Sequence, residues 1–273
     1  MDTQQSNDSL SAATNFLNIG FSYRKAEDFV NAIKFYTKAL DCNPNYFNAL
    51  FNRAFAYDKI GDTSSAIANY EKALESNPSN PFTYYNLGII YDKMEKHHQA
   101  IKYFTQAISI SSEKSDFYHN RGLSLRKICN FKEAIKDFNE ALAITPKHTK
   151  ALYNKAYCYE KMQLYHEAEE NYKQCIELQA NNLNAYYHLA RLQEKLGGPK
   201  LISALQNYTI AISIESTFAP LYNGRGLVYD KLKQFSNAIK DFTSAILHDP
   251  SNSVYWHNRA CCYKNNKEYI HKQ

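Results

Sequence analysis

FKEAIKDFNEALAITP occupies residues 131–146 and FSNAIKDFTSAILHDP residues 235–250, so one chain carries nearly the same sixteen letters twice, 104 positions apart. Neither copy sets a nucleophile beside a base or spaces metal ligands, so the duplication reads as packing and not as a doubled active site. Ala134, Phe138, Ala141 and Pro146 of the first copy become Ala238, Phe242, Ala245 and Pro250 of the second. Offsets of four and seven place the small and aromatic residues on one face of a helix.

The same quartet runs through the chain. It opens at Ala32, Tyr36, Ala39 and Pro44, and returns at Ala66, Tyr70, Ala73 and Pro78, then at Ala100, Phe104, Ala107 and Ser112. After the copy at Ala134 come Ala168, Tyr172, Cys175 and Ala180, then Ala204, Tyr208, Ala211 and Ser216, before the copy at Ala238. Every step is 34 positions except the 36 from Ala168 to Ala204, which locates a two-residue insertion in KLGGPKLIS, 195–203. Upstream of each quartet lies a second i, i+4, i+7 set, from Phe16, Gly20 and Tyr23 to Trp256, Ala260 and Tyr263. Each repeat is therefore predicted to be two helices, A and B, joined by a short turn, with small residues admitting the aromatics between them.

A 34-residue helix-turn-helix unit with this pattern resembles the tetratricopeptide repeat (TPR) family. The resemblance implies an all-α fold, a right-handed α-solenoid of antiparallel helix pairs in a TPR superhelix. Its repeats are 13–46, 47–80, 81–114, 115–148, 149–182, 183–218 and 219–252, followed by a half repeat 253–273 and preceded by a flexible tail 1–12. The helix from Ser253 to Lys264 is expected to cap the stack, with Trp256 and Tyr263 turned onto the seventh repeat. The Gly-Gly-Pro of the insertion predicts a longer turn in the sixth. Ser112, Ala180 and Ser216 stand where proline is usual, which leaves the turns there open.

Composition agrees with an all-helical chain: eight glycines and seven prolines in 273 residues supply little for many turns or strands. No stretch reaches the roughly 18 apolar residues of a membrane helix, and MDTQQSNDSL lacks the basic and apolar regions of a secretory signal. Six cysteines without a framework spacing suit reduced thiols, so a cytoplasmic, non-secreted protein is expected, with ciliary or organellar assembly as a variant. The net charge of +5 is spread among acids and not gathered in a block, which speaks against nucleic acid.

Subtracting the packing positions leaves a second stripe on each A helix, at the second, sixth, ninth and thirteenth places. It points away from the helix-pair core and, as the resemblance implies, into the concave groove. The sixth place holds Asn18, Asn52, Asn86, Asn120 and Asn154, then His188 and Gly224. An asparagine amide matches the donor and acceptor of a peptide backbone, so this ladder is a candidate for holding an extended or helical segment of another protein. The ninth place holds Phe21, Phe55, Ile89, Leu123 and Tyr157, a groove floor or a contact between adjacent A helices. The thirteenth holds Lys59, Lys93 and Lys127, with acids beside several of them. Some relatives bind chaperone C-terminal carboxylates through a Lys and Asn clamp; here those places hold Leu17 and Phe21, Phe51 and Phe55, or Tyr85 and Ile89, so no such clamp is expected.

No cofactor, metal or catalytic residue is expected. His257 and Cys261 form only one edge of a metal site, and NGRGLV at 223–228 lacks the third glycine and the preceding strand of a phosphate loop. The resulting expectation is a non-catalytic scaffold or adaptor that binds a partner segment within a larger assembly. The alternatives are a helical-repeat binder of single-stranded RNA and a regulatory subunit of an enzyme complex.

Overall fold

The computed structural model describes residues 2–270, with side chains from Leu10 to Lys267. It divides into two units, Met1–Ile144 and Thr145–Gln273. The first contains α1 (Asp2–Lys25), α2 (Phe29–Cys42), α3 (Phe47–Ile60), α4 (Thr63–Ser76), α5 (Pro81–Lys93), α6 (His97–Ile110), α7 (Ser115–Lys127) and α8 (Phe131–Ile144). The second contains α9 (Thr149–Lys161), α10 (Tyr165–Leu178), α11 (Leu183–Leu196), α12 (Lys200–Ile214), α13 (Ala219–Lys231), α14 (Phe235–His248) and α15 (Ser253–Ile270). Within each unit every odd-numbered A helix packs on the B helix that follows it, and that B helix packs on the next A helix. Short connections make such neighbours antiparallel. No strand occurs among the described residues.

The core is the quartet read from the sequence. Tyr36, Tyr70, Phe104, Phe138, Tyr172, Tyr208 and Phe242 are all at most 1% exposed, and the alanines around them are fully buried. The A helix must be small where each ring lands. A Cβ on Gly122 would lie 2.7 Å from Cε1 of Phe138, closer than side chains tolerate.

Six B helices end in one manner. The backbone N–H just beyond each donates to the carbonyl of the last small residue: Asn43 to Ala39, Asn77 to Ala73, Ser111 to Ala107, Gln179 to Cys175, Glu215 to Ala211 and Asp249 to Ala245, all at 2.9 to 3.0 Å. Ser112, Ala180 and Ser216 therefore leave that closure unchanged where proline is missing. The turn inside each repeat passes through a left-handed residue, which is glycine at Gly61 and Gly197 but Glu27, Glu95, Cys129, Gln163 and Lys233 elsewhere, with φ of 58 to 62°. Packing of the helices on either side holds these non-glycine residues in a region they rarely adopt.

Two expectations are corrected. The sixth-repeat turn is not lengthened: α11 ends at Leu196 and α12 begins at Lys200, the same three-residue connection that joins α9 to α10. Gly197 and Gly198, both at positive φ, close the turn tightly, and the extra residues lengthen the two helices instead. Trp256 and Tyr263 do not turn inward; they are 47% and 49% exposed, while Tyr255 and Cys262 are buried against α14. Trp256 and Tyr263 occupy the register that a B helix of the same repeat covers elsewhere, and no helix follows α15 among the described residues. Trp256 instead donates from Nε1 to the Pro250 carbonyl at 3.1 Å and carries Arg259 4.8 Å from its ring. At the other end α1 begins at Asp2, so its backbone runs through the stretch expected as a tail; without glycine or proline before Gly20, nothing local stops it.

The candidate partner groove

In the first unit the A helices, with the Asn80 cap of α5, line an open cavity of about 460 Å³. Its apolar wall is Phe47, Phe51 and Phe55 of α3 with Phe82 and Tyr85 of α5; its polar wall is Arg24 of α1 with Asn48, Asn52, Asn80 and Asn86. The rings are fixed from behind. Phe51 meets Tyr70 edge to face at 5.5 Å, and Tyr85 packs on Phe104 and Phe117 at 5.8 and 4.8 Å. Such aromatic contacts give the wall a definite shape. Asn80 caps α5, accepting from the Thr83 backbone N–H at 2.9 Å.

Asn52, Phe55 and Asn86 of the sequence-derived stripe meet at this cavity together with its second-place residues Asn48 and Phe82, and the rest are dispersed. Asn52 is buried; its oxygen accepts from Arg24 and its Nδ2 donates to the Asn48 carbonyl at 2.6 Å. Asn86 donates to the Tyr70 hydroxyl at 3.1 Å, and Asn120 to the Tyr85 hydroxyl and the Asp116 carbonyl at 2.9 and 2.8 Å. The oxygens of Asn86 and Asn120 have no donor among the described residues, so each retains an acceptor. Asn18 is exposed, and Phe21 is half-buried with its ring edge-on to Tyr36 at 6.1 Å. Ile89 and Leu123 are half-buried on α5 and α7.

The lysines are organised by charge. Lys93 reaches both oxygens of Asp58 at 2.9 and 3.0 Å, and Lys127 reaches Asp92 at 2.8 Å. Each pair joins the thirteenth place of one repeat to the twelfth of the repeat before it. Burial opposes ionisation of Asp92, but hydrogen bonds from Lys127, Ser124 and His97 outweigh it and hold its pKa below the usual carboxylate value. Lys59 has no such acid: its twelfth-place neighbour is Arg24, and its Nζ lies 5.2 Å from the Phe55 centroid.

The second unit is built differently. Asn154 is buried and donates to the Lys150 carbonyl at 2.7 Å, and Tyr157 lies edge-on to His188 at 5.9 Å beneath Lys161. The ladder stops because the ring from the preceding B helix takes over. His188 stacks on Tyr172 with centroids 5.8 Å apart, and a Cβ on Gly224 would lie 2.4 Å from Cζ of Tyr208. The two tyrosines donate to Glu160 and Glu194 at 2.9 and 3.1 Å, and burial together with those carboxylates pushes both phenols well above their ordinary pKa. A cavity of about 490 Å³ here carries mixed charge, with Glu160 and Glu194 among Lys161, Arg191, Lys195 and Lys231.

Gln193 stands where the other A helices have an aromatic or leucine, and it is satisfied. It donates to Glu169 at 3.2 Å and accepts from Asn207 at 2.8 Å, while Lys200, delivered by the insertion, reaches both oxygens of Glu169 at 2.9 Å. Burial raises the Glu169 pKa, but Lys173, Lys200 and Gln193 outweigh it and lower it to about 2. Among the described residues no three His, Cys, Asp or Glu side chains converge as metal ligands, and no helix is long and apolar enough to cross a membrane.

Sequence reading missed Arg24, Phe47, Phe51 and Tyr85 as groove residues. The available signal was the twelfth place, where Arg24 precedes Asp58 and Asp92.

Family models described as tetratricopeptide repeat match residues 13–46, 35–68, 81–113, 115–181 and 219–252, and one described as TPR repeat matches 59–95. No curated protein matches the sequence significantly. Among solved structures, the MamA protein is 26% identical with a TM-score of 0.58, covering 62% of this chain and 92% of its own. YrrB, described as a TPR protein with an unusual peptide-binding site, is 19% identical with a TM-score of 0.60, covering 70% of this chain and 97% of its own. The C-terminal part of a TPR repeat-containing protein from Cytophaga hutchinsonii is 17% identical with a TM-score of 0.75, covering 89% of this chain and 98% of its own. Repeat period, helix pairing and family matches agree, and the chain belongs to the tetratricopeptide repeat family.

Proposed function

We propose that the protein is a non-catalytic scaffold or adaptor that takes a segment of a partner protein along its A-helix face, within a larger assembly. The observation that carries this reading is the cavity of about 460 Å³ lined by A helices and the cap of α5, with five aromatic rings opposite asparagine amides. Concave sites of this kind, mostly apolar with a few placed polar groups, suit a side chain and its flanking backbone. The peptide-binding site named for YrrB supports the reading, because its fold is similar.

Affinity capture from native extract tests it, comparing the wild-type chain with a Phe82→Asp, Asn86→Ala variant. Phe82 is 46% exposed, so the change alters the groove rim without opening the core. Proteins captured by the wild type and lost from the variant are the expected result. Capture that ignores the variant would move the interface off this face, and capture abolished by nuclease would favour the RNA-binding reading.

A further inference from the structure

We propose that the first-unit cavity is built for an acidic segment, with one bulky apolar side chain among the rings and a side-chain carboxylate, one or two residues away, between Arg24 and Lys59. The inference rests on the reading that a partner segment lies on this face, and it specifies the chemistry of that segment.

Charge at the successive rungs carries the argument. Asp58 with Lys93 and Asp92 with Lys127 are neutral pairs. At the preceding rung Arg24 faces Lys59, and neither has an acidic partner among the described residues. Both crowd one ring: the guanidinium carbon lies 4.5 Å and the ammonium nitrogen 5.2 Å from the Phe55 centroid. The residues lining the cavity include no carboxylate at all, so the only formal charge on its wall is positive. A carboxylate is the group that this rung lacks and the other two possess.

A second observation points to the same ligand. Tyr36 is fully buried, and its hydroxyl has no hydrogen-bond partner. In the next repeat the equivalent hydroxyl, on Tyr70, accepts from Asn86 at 3.1 Å. Asn52 stands in the same relation to Tyr36, sixteen positions on, but its carboxamide is held by Arg24 and Asn48. A carboxylate that engages Arg24 releases Asn52 to turn toward Tyr36, so binding satisfies a buried group that the free protein leaves unpaired.

The apolar anchor follows from Phe47, Phe51, Phe82 and Tyr85, which offer ring faces and edges with little polar competition. The fifth places on the three helices are Leu17, Phe51 and Tyr85, which offer no second charge for a chain-terminal carboxylate. The acid is therefore assigned to a side chain within a segment.

Random twelve-residue peptides displayed within a phage coat protein, without a free C-terminus, are selected on the wild-type chain. The best sequence is then synthesised with an amidated C-terminus and titrated calorimetrically. We expect Asp or Glu within two positions of an aromatic or leucine, roughly tenfold weaker binding when that acid becomes its amide, and a similar loss for Arg24→Gln with Lys59→Gln. Changing peptide and protein together should add little, because one interaction is removed twice. Lys59→Gln alone, at an exposed side chain, repeats the test should the double variant fail to fold. Enriched peptides that are neutral or basic, or acidic ones indifferent to both changes, would overturn the charge assignment and leave the groove reading standing. Binding that requires a free C-terminal carboxylate would overturn the internal segment. No enrichment at all would count against both this inference and the reading beneath it.

Discussion

Arg121 and Asp137 form a two-pronged ion pair, Nη2 to Oδ1 at 2.7 Å and Nε to Oδ2 at 2.8 Å, while Nη1 donates to Thr105 at 3.1 Å. Arg225, Asp241 and Thr209 repeat it with the same three contacts. Asp137 and Asp241 are the aspartates that the two near-identical stretches share, so those letters encode a clasp that ties one A helix to the B helices on both sides. Asp137→Ala strands a half-buried guanidinium and should cost about 2 to 4 kcal/mol; pairing it with Arg121→Met should recover much of the loss, as read by urea unfolding.

Two glycines should fail for different reasons. Gly122→Leu drives a side chain into Phe138 and should cost at least about 1 to 3 kcal/mol. Gly61 has nothing within 4 Å, but its φ of +84° makes Gly61→Leu a backbone penalty of about 1 kcal/mol. Adding Phe138→Ala should relieve only the first in a thermal melt.

The asparagine ladder should separate by rung. Asn86→Ala and Asn120→Ala remove one or two half-buried bonds and should change stability by less than about 1.5 kcal/mol while weakening a bound segment. Asn52→Ala leaves Arg24 and Asn48 without their partner and should cost more. Denaturation and peptide titration of the three variants in parallel check the order.

Glu169 should shape the acid limb of stability. Its folded pKa is lowered to about 2 from an ordinary value of 4.5, so its contribution is fully present above pH 4.5 and is lost as pH falls toward 2. Glu169→Gln should be less stable than wild type at neutral pH, and the difference should shrink across that window. A constant difference from pH 6 to pH 2 would show that the lysine contacts do not depend on its charge.

The helix pairs were legible because Ala134, Phe138 and Ala141 recur at helical spacing, and packing of that kind is local to a repeat. The groove was only partly legible. Which amide stays available depends on the facing ring: Tyr70 accepts from Asn86, whereas the Tyr208 ring leaves room only for glycine at 224. The Arg24 and Lys59 rung stayed hidden because its residues lie 35 positions apart, and a list of thirteenth-place lysines does not show which twelfth-place residue each one faces. Trp256 was misassigned because its register resembles that of the other repeats, while no helix that would cover it follows among the described residues.

The pairing of Asp58 with Lys93 and Asp92 with Lys127 also governs how such a chain can grow or shrink. Both of these rungs take their anion from the earlier repeat and their cation from the later one. Excising residues 81–114 as a block would bring Asp58 opposite Lys127 and restore a neutral junction; excising 47–80 would bring Arg24 opposite Lys93, a cationic junction in place of the one with Lys59. The couplings are thus interchangeable at either junction, so copy number can vary within the stack while the cationic rung keeps its place at the start.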